Sequence, residues 1–320
     1  MAESTRVKIR KIIDELDYKP NILASTLASK KLVKFATLMP EPPSDKGYWN
    51  IPYKGVKRRV AELEQFGIKI QPFQFNPLNS KSFTAESEKI IELNPDGVIL
   101  APFFKKESLQ FINQLNENNT PFVFIDSEIK DAGQLSYIGQ DSYQSGMVSG
   151  ELLSLILPKG NILVVHFAKE MDNQNHLVQR EKGFYNWFKS NKLKHKIITI
   201  EISNIENKAW MEEIADVIVK NNINGLFVTN SKVFLACQII EKFKFDNIKI
   251  IGHDLLKENI RYLKKGVVQF LISQSPEKQG YNSLDMLFKS IIEKKEIAKE
   301  NYTSIDIITK ENLNYYKEFK

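Results

Sequence analysis

The sequence predicts an α/β protein with two Rossmann-like lobes, each a parallel β-sheet covered by helices, and three observations predict this class. Short apolar runs alternate with amphipathic runs of roughly ten to fifteen residues, which is the pattern of βαβ units. Many of the short runs are apolar almost throughout, as expected for strands with both faces covered. About ten such strands exceed what one doubly wound sheet comfortably holds, which favours two lobes.

The predicted elements follow one another regularly along the chain. Strands of the first half are expected in LVKFATLMP, IKIQPFQFN, DGVILAPF and PFVFIDSEI, with helices over about 51–66 and 83–93. Strands of the second half are expected in NILVVHF, KIITIEI, NGLFVTN, IKIIGHD and VVQFLISQ, and SIDIITKENL closes the chain. This repetition of the pattern predicts that the two halves fold alike.

Composition and charge are those of an ordinary globular protein. The 320 residues are 42% hydrophobic and 26% charged, and the formal net charge of +6 permits an anionic partner without requiring one. The single cysteine, Cys237, lies in the apolar run VFLACQII, which predicts a buried thiol. No run approaches roughly eighteen apolar residues, and the N-terminus lacks the apolar core of a signal peptide, so a cytoplasmic protein is expected.

Sequence motifs of the common enzyme classes are not found. There is no Gly-x-Gly-x-x-Gly after the first strand, no Gly-x-x-x-x-Gly-Lys phosphate loop and no Gly-x-Ser-x-Gly elbow. One cysteine cannot build a cysteine zinc site, and the four histidines lack metal-ligand spacing. We therefore expect no metal, no cofactor and no catalytic residues. The histidines are His166, His176, His195 and His253.

Polar and planar side chains follow several of the predicted strands. In such folds ligands bind at the carboxyl ends of the strands. Carboxylates and amides pair with hydroxyl groups and aromatic faces cover a sugar ring, so this set suits a polyol. Each residue alone could instead be a cap or turn residue, but their coincidence favours a ligand site. The set comprises Tyr48, Trp49, Asp126, Asn230, Asp254 and Gln274.

Five segments resemble the LacI family of transcription regulators, whose effector domain has the type I periplasmic binding protein fold. STRVKIRKIIDELDYKPN resembles the third helix of the family's helix-turn-helix headpiece, and NILASTLASKK resembles its hinge helix. YIGQDSYQSGMVSGELL resembles the family's strand, turn and following helix, and VQREKGFYNWF carries its Arg-x-x-Gly-Phe pattern. The most specific match is IIGHDLLKENIRYLKKGVVQFLISQSPEKQGY, because several spaced positions of the family's closing segment agree at once.

The resemblance implies a domain organisation with three crossovers between the lobes. The family has two more headpiece helices ahead of the first matching segment, so a truncated headpiece is expected. The chain alone is then expected not to recognise an operator. The implied parts are a headpiece remnant with hinge helix at 1–31 and an effector-binding domain at 32–320, with an N-terminal lobe of about 32–140 and 275–301 and a C-terminal lobe of about 141–274 and 302–320.

The hinge segment is expected to bind DNA. In the family this helix lies on the minor groove, and a leucine from each subunit wedges between base pairs at a cost of roughly a few kcal/mol. Leu27 stands in that position, and Ala24 would let two such helices pack closely. Lys30 would face phosphate, and Asn21 belongs to the same expected DNA-binding set. A plain linker is the alternative, because about eight residues do not hold a helix alone in water.

The resemblance also implies ligand-binding roles. Tyr48 and Trp49 would stack on a sugar ring. Asp126 would accept sugar hydroxyls in the first lobe, and Arg180 would reach the ligand from the second lobe unless it belongs to a solvated charge run. Ser127 stands where relatives often have arginine, and His253 is expected to be a half-buried strand-end histidine. The remaining polar wall would be Asn230, Asp254 and Gln274.

These inferences predict a sugar-responsive, LacI-like DNA-binding regulator. A small sugar or sugar derivative would bind between the lobes and alter operator binding. Expected partners are that effector, operator DNA and a second copy of the chain in a C2 dimer, with no membrane. Two alternatives remain open: a periplasmic-type sugar-binding protein for a transporter and, from a different class, a sugar-processing enzyme.

Overall fold

The computed structural model describes residues 32–42, 47–167, 175–205 and 209–316, together with residues 5, 12 and 207. Within these residues it contains two six-stranded sheets and nine α-helices. The four residues predicted to bind DNA lie outside the described part of the chain. They are Asn21, Ala24, Leu27 and Lys30.

The N-terminal lobe is a fully parallel sheet whose strand order is β11-β5-β4-β3-β1-β2. Its strands are β1 (Val33–Pro40), β2 (Ile68–Phe75), β3 (Gly97–Leu100), β4 (Phe122–Ile125), β5 (Ser136–Gly139) and β11 (Glu300–Tyr302). The helices of this lobe are α1 (Asn50–Leu63), α2 (Ser80–Leu93), α3 (Lys105–Glu117) and α9 (Pro276–Ile291). All residues of β3 and β4 are buried, which explains their uniformly apolar sequences.

The C-terminal lobe repeats this arrangement with the strand order β12-β10-β9-β8-β6-β7. Its strands are β6 (Asn161–His166), β7 (Ile197–Glu201), β8 (Ile223–Val228), β9 (Lys249–His253), β10 (Phe270–Ser273) and β12 (Asp306–Ile308). Its helices are α4 (Ser142–Ile156), α5 (Asn175–Ser190), α6 (Ala209–Lys220), α7 (Val233–Phe243) and α8 (Lys257–Lys264). Cys237 is fully buried in the core of this lobe, as its apolar surroundings predicted.

The chain passes between the lobes three times, between β5 and α4, between β10 and α9, and between β11 and β12. The predicted class of two sheet-containing lobes joined by three crossovers is confirmed. The sheets are not parallel throughout, because β12 runs antiparallel to β10. The three-residue strand β11 was not predicted, since its sequence Glu-Asn-Tyr has no apolar run to mark it.

Paired glycines bring two helices unusually close in each lobe. In the N-terminal lobe, a Cβ atom on Gly280 of α9 would overlap the carbonyl oxygen of Pro52 in α1, and one on Gly55 would overlap that of Glu277. In the C-terminal lobe, a Cβ atom on Gly146 of α4 would likewise overlap the backbone of α5. These contacts involve backbone atoms, which cannot move aside without shifting a whole helix.

Among the described helices, none combines the length and the apolar character needed to cross a lipid bilayer.

Replacing Gly280 by alanine is expected to destabilise the protein by about 2–3 kcal/mol, because the added methyl group overlaps the backbone of α1. Alanine elsewhere in a helix interior normally stabilises by up to about 1 kcal/mol relative to glycine, so the sign of the change is informative. Urea unfolding of wild type, Gly280→Ala and Lys278→Ala measures it, with exposed Lys278 as the control in the same helix. Equal stability of all three proteins would contradict the close helix packing.

Candidate functional site

The carboxyl ends of the two sheets meet at the crossovers, and an aspartate follows a central strand in each lobe. Asp126 comes directly after β4, and Asp254 comes directly after β9. Both adopt left-handed backbone conformations, with φ angles of 68° and 67°. Aspartate tolerates this conformation better than most residues, and non-glycine residues held in it concentrate at functional sites. The two lobes therefore present their carboxylates from equivalent positions.

Arg180 is the centre of a buried hydrogen-bond network. It lies on α5 and is only 1% exposed, so the alternative of a solvated charge run does not apply. Its Nη1 atom donates to the carbonyl oxygen of Thr229 at 2.8 Å, and its Nη2 atom donates to Oε1 of Gln274 at 3.1 Å. Its Nε atom has no hydrogen-bond partner among the described residues. The guanidinium group is thus fixed between β8 and the crossover after β10, with its Nε–H group left unsatisfied.

Gln274 connects Arg180 to Asp254. Its Nε2 atom donates to both carboxylate oxygens of Asp254, at 3.2 Å each, while its Oε1 atom accepts from Arg180. Burial raises the pKa of Asp254 to about 7, although the positive charge of Arg180 and the hydrogen bonds from Gln274 act in the opposite direction. The amide orientation follows from these neighbours, since only its nitrogen can donate to a carboxylate.

Tyr48, Trp49 and Asp126 form the part of the site that the N-terminal lobe supplies. The Tyr48 hydroxyl donates to Oδ1 of Asp126 at 2.7 Å, and its ring contacts Trp49 edge to face with 5.4 Å between centroids. Burial, with the nearby carboxylates of Asp126 and Asp254, raises the pKa of Tyr48 well above its usual value. The influence of Asp254 shows that residues from the two lobes share one electrostatic environment.

Asn230 belongs to the same region, but both ends of its side chain are engaged within the C-terminal lobe. Its Nδ2 atom donates to the carbonyl oxygen of Phe167 at 3.0 Å, and its Oδ1 atom accepts from the backbone N–H of Lys232 at 3.1 Å. The Nζ atom of Lys232 also donates a hydrogen bond to the carbonyl oxygen of Phe167, and burial lowers the pKa of this ammonium group. Asn230 therefore stabilises the turn between β8 and α7, as a turn residue does.

His176 is a site residue that sequence reasoning did not assign. It lies on α5 and lines a small inner pocket together with Trp49, Asp126 and Ser127 of the other lobe. Burial lowers its pKa to about 4, so the imidazole is neutral at pH 7, and its Nδ1 atom has no partner among the described residues. Its position four residues before Arg180 was the available signal, because residues four apart share one face of a helix.

The prediction of a half-buried His253 is wrong, because this side chain is fully buried. Its Nε2 atom lies 3.2 Å from Oγ of Ser145 on α4, and its Nδ1 atom lies 3.3 Å from the carbonyl oxygen of Val228. Burial and the positive charge of Arg180 lower its pKa well below the usual value. His253 is therefore a neutral residue that joins α4 to the sheet behind the site.

No metal-binding arrangement occurs in the part of the chain that the structure describes: its His, Cys, Asp and Glu residues form no group of three or more that could hold a metal ion. The site combines two carboxylates, a guanidinium group, an amide and two aromatic rings. Such a set can hydrogen-bond several hydroxyl groups of one ligand while covering an apolar ring face.

Comparison with known proteins gives a family and several relatives. The family model described as a periplasmic binding protein domain matches residues 35–295. The HTH-type transcriptional regulator RegA of Clostridium saccharobutylicum is 24% identical over 310 residues, which cover 94% of this chain and 87% of RegA.

Two crystal structures resemble this fold over almost their whole lengths. A protein proposed to be a LacI transcriptional regulator, from Bacteroides fragilis, is 32% identical with a TM-score of 0.84, and the match covers 89% of this chain and 100% of that one. GanP, a glucose-galactose binding protein from Geobacillus stearothermophilus, is 25% identical with a TM-score of 0.77, and the match covers 88% and 99% of the two chains.

Replacing Asp254 by asparagine is expected to remove a pH dependence of stability. The buried carboxyl group keeps its proton to about pH 7, whereas in the unfolded chain it loses it near pH 4. Between these values the folded state binds more protons, so its stability falls as the pH rises through this window. The free energy of unfolding of the variant, relative to that of the wild type, should therefore rise by up to about 4 kcal/mol between pH 4 and pH 7.

Urea unfolding at pH 4, 5.5 and 7 measures this difference, and Asp216→Asn on the exposed face of α6 is the matched control. A difference between wild type and Asp254→Asn that stays constant over this range would contradict the raised pKa of Asp254.

Proposed function

The chain belongs to the periplasmic binding protein domain family, and on this basis we propose that it is a sugar-responsive transcription regulator of the LacI type. A small sugar or sugar derivative binds between the lobes and changes the affinity of a dimer for operator DNA. The observation that carries the proposal is the buried network of Arg180, Gln274 and Asp254, placed where the carboxyl ends of both sheets meet.

A sugar suits this network because each hydroxyl group both donates and accepts hydrogen bonds. Asp126 and Asp254 would accept from hydroxyls, and Arg180 would donate to hydroxyl or ring oxygens. In this structure Asp126 accepts from Tyr48, and Asp254 and Arg180 both hydrogen-bond to Gln274. Ligand hydroxyls would exchange with these existing partners at a modest net free energy per bond. The proposed ligand-binding residues are Tyr48, Trp49, Asp126, Arg180, Asn230, Asp254 and Gln274.

The similarity to a transcriptional regulator supports the regulatory role over a role in transport. The alignment with RegA leaves out about 6% of this chain, fewer residues than the 32 that precede β1, so it extends into the N-terminal segment. In our proposal this segment carries the DNA-binding hinge, with Leu27 as the wedge and with Ala24, Asn21 and Lys30 around it. A sugar-binding protein of a transporter is the second candidate, because the same fold and site serve both roles.

The proposed mechanism is closure of one lobe on the other. Tyr48, Trp49 and Asp126 belong to the N-terminal lobe, whereas Arg180 and Asp254 belong to the C-terminal lobe. A ligand held by both sets favours the closed arrangement, by no more than its difference in affinity for the closed and open states. Closure would move the N-terminal lobe and the hinge attached to it, with a coupling of roughly 1–3 kcal/mol between sugar and operator.

Asp254→Ala is expected to lower sugar affinity about a hundredfold or more, since it removes two acceptor positions that hydroxyl donors would hold in the charged form, worth about 1.5–3 kcal/mol each. Calorimetry with a sugar that binds the wild type measures the loss, and an operator shift assay on the full-length protein measures the response. Asp216→Ala, an exposed carboxylate outside the site, should behave as wild type. Normal binding by Asp254→Ala would show that the effector site lies elsewhere.

The chain is expected to form a C2 dimer, because a hinge of this kind works as a pair on a two-fold operator. Sedimentation velocity at micromolar concentration measures the mass, and it should be twice that of the 37.0 kDa chain. A monomer that still binds sugar would favour the transporter-type alternative over the regulator. Sugar turnover in the same samples would favour an enzyme.

A further inference from the structure

A second pocket opens beside the inner pocket, on the side of the crossovers. It is lined by the loop after β4, by residues of the first and third crossovers and by the first turns of α4 and α5. It is the larger of the two spaces and is partly open to solvent. Ser127 and His176 line both pockets, so the two spaces are adjacent along one path.

Two buried polar atoms in this lining lack partners. Gln140 is 1% exposed, and its Nε2 atom donates to the carbonyl oxygens of Ser273 and Ser304. Its Oε1 atom has no hydrogen-bond partner among the described residues, and the same holds for Nδ1 of His176. Buried polar atoms are normally satisfied, so this lining is one that a hydroxyl-bearing group would complete.

Two exposed tyrosines border the same pocket. Tyr143 on α4 is 38% exposed, and Tyr302 at the end of β11 is 46% exposed. Large aromatic side chains left this accessible beside a polar pocket offer flat apolar faces with a hydrogen-bonding hydroxyl group at the edge. A sugar ring presents the matching surfaces.

The charges of the lining select an uncharged ligand group. Glu128 and Asp141 contribute two carboxylates, and Lys130 is the one cation in the described lining. The two carboxylates would repel a phosphate group, whereas carboxylates accept hydrogen bonds from pairs of hydroxyl groups. A neutral glycosyl unit therefore fits this pocket better than a phosphorylated one.

We propose that this outer pocket is a second subsite, and that the ligand is a neutral disaccharide or glycoside rather than a free monosaccharide. One sugar unit occupies the inner site, and the second lies between Tyr143 and Tyr302. This inference rests on the proposed sugar-binding function and specifies its ligand class.

Calorimetry with the purified chain tests the proposal. The probes are glucose, galactose and xylose, the disaccharides maltose, cellobiose, lactose and xylobiose, and glucose 6-phosphate. At least one disaccharide should bind about tenfold or more tightly than its component monosaccharides. Tyr143→Ala and Tyr302→Ala should each remove most of this preference while changing monosaccharide affinity less than about twofold. Tyr315→Ala, which removes a tyrosine that is 84% exposed outside the pocket, is the control and should bind both classes normally.

The remaining outcomes separate the subsite from the function. Binding of monosaccharides with exclusion of every disaccharide would overturn the second subsite and leave the proposed function standing. Preference for glucose 6-phosphate would overturn the neutral ligand class. Equal losses for both sugar classes in the tyrosine variants would show that there is no separate subsite. If no sugar binds, the proposed function and the subsite fail together.

Discussion

The burial of one positive charge constrains the region between the lobes. Arg180 is almost completely inaccessible, and a buried guanidinium group is tolerable only when its N–H groups are hydrogen-bonded and a negative charge is near. The carbonyl oxygen of Thr229, the amide of Gln274 and the carboxylate behind it meet this demand in part, and Nε of Arg180 is left without a partner among the described residues. Those groups come from the ends of three neighbouring strands, so the order β10-β9-β8 within the sheet is what allows the arginine to be buried.

The network is a compromise between opposing electrostatic effects. Burial favours the neutral form of Asp254, while Arg180 favours the charged form. A ligand whose hydroxyl groups donate hydrogen bonds to this carboxylate would also favour the charged form, as Arg180 does, because hydrogen bonds to the charged form stabilise it. Tyr48 and Asp126 lie on the opposite side with their own short hydrogen bond, so both lobes hold polar groups ready to exchange partners.

The sequence located the strand-end residues because all parallel strands of a sheet end on the same side, which makes their carboxyl ends a common edge. It did not reveal His176, Tyr143 or the outer pocket, which lie at helix starts and crossovers that only the tertiary structure brings together. The full burial of His253 has the same origin, since the helix residue that covers it, Ser145, is 108 positions away. Strand β12 lies within the predicted closing segment SIDIITKENL, but its antiparallel direction does not follow from its apolar pattern. The short polar β11 carries too little periodicity to be recognised.

The three crossovers have a consequence for biosynthesis. Helix α9 and strand β11 complete the N-terminal lobe although the chain has by then already passed through the C-terminal lobe, and Arg58 is paired with Glu277 across 219 positions. A ribosome that has translated the first 140 residues has therefore produced a sheet without one of its strands and one of its covering helices. Such long-range contacts slow folding and leave apolar surface uncovered during synthesis. Neither lobe exists as one continuous stretch of chain, so the two must reach their final form together.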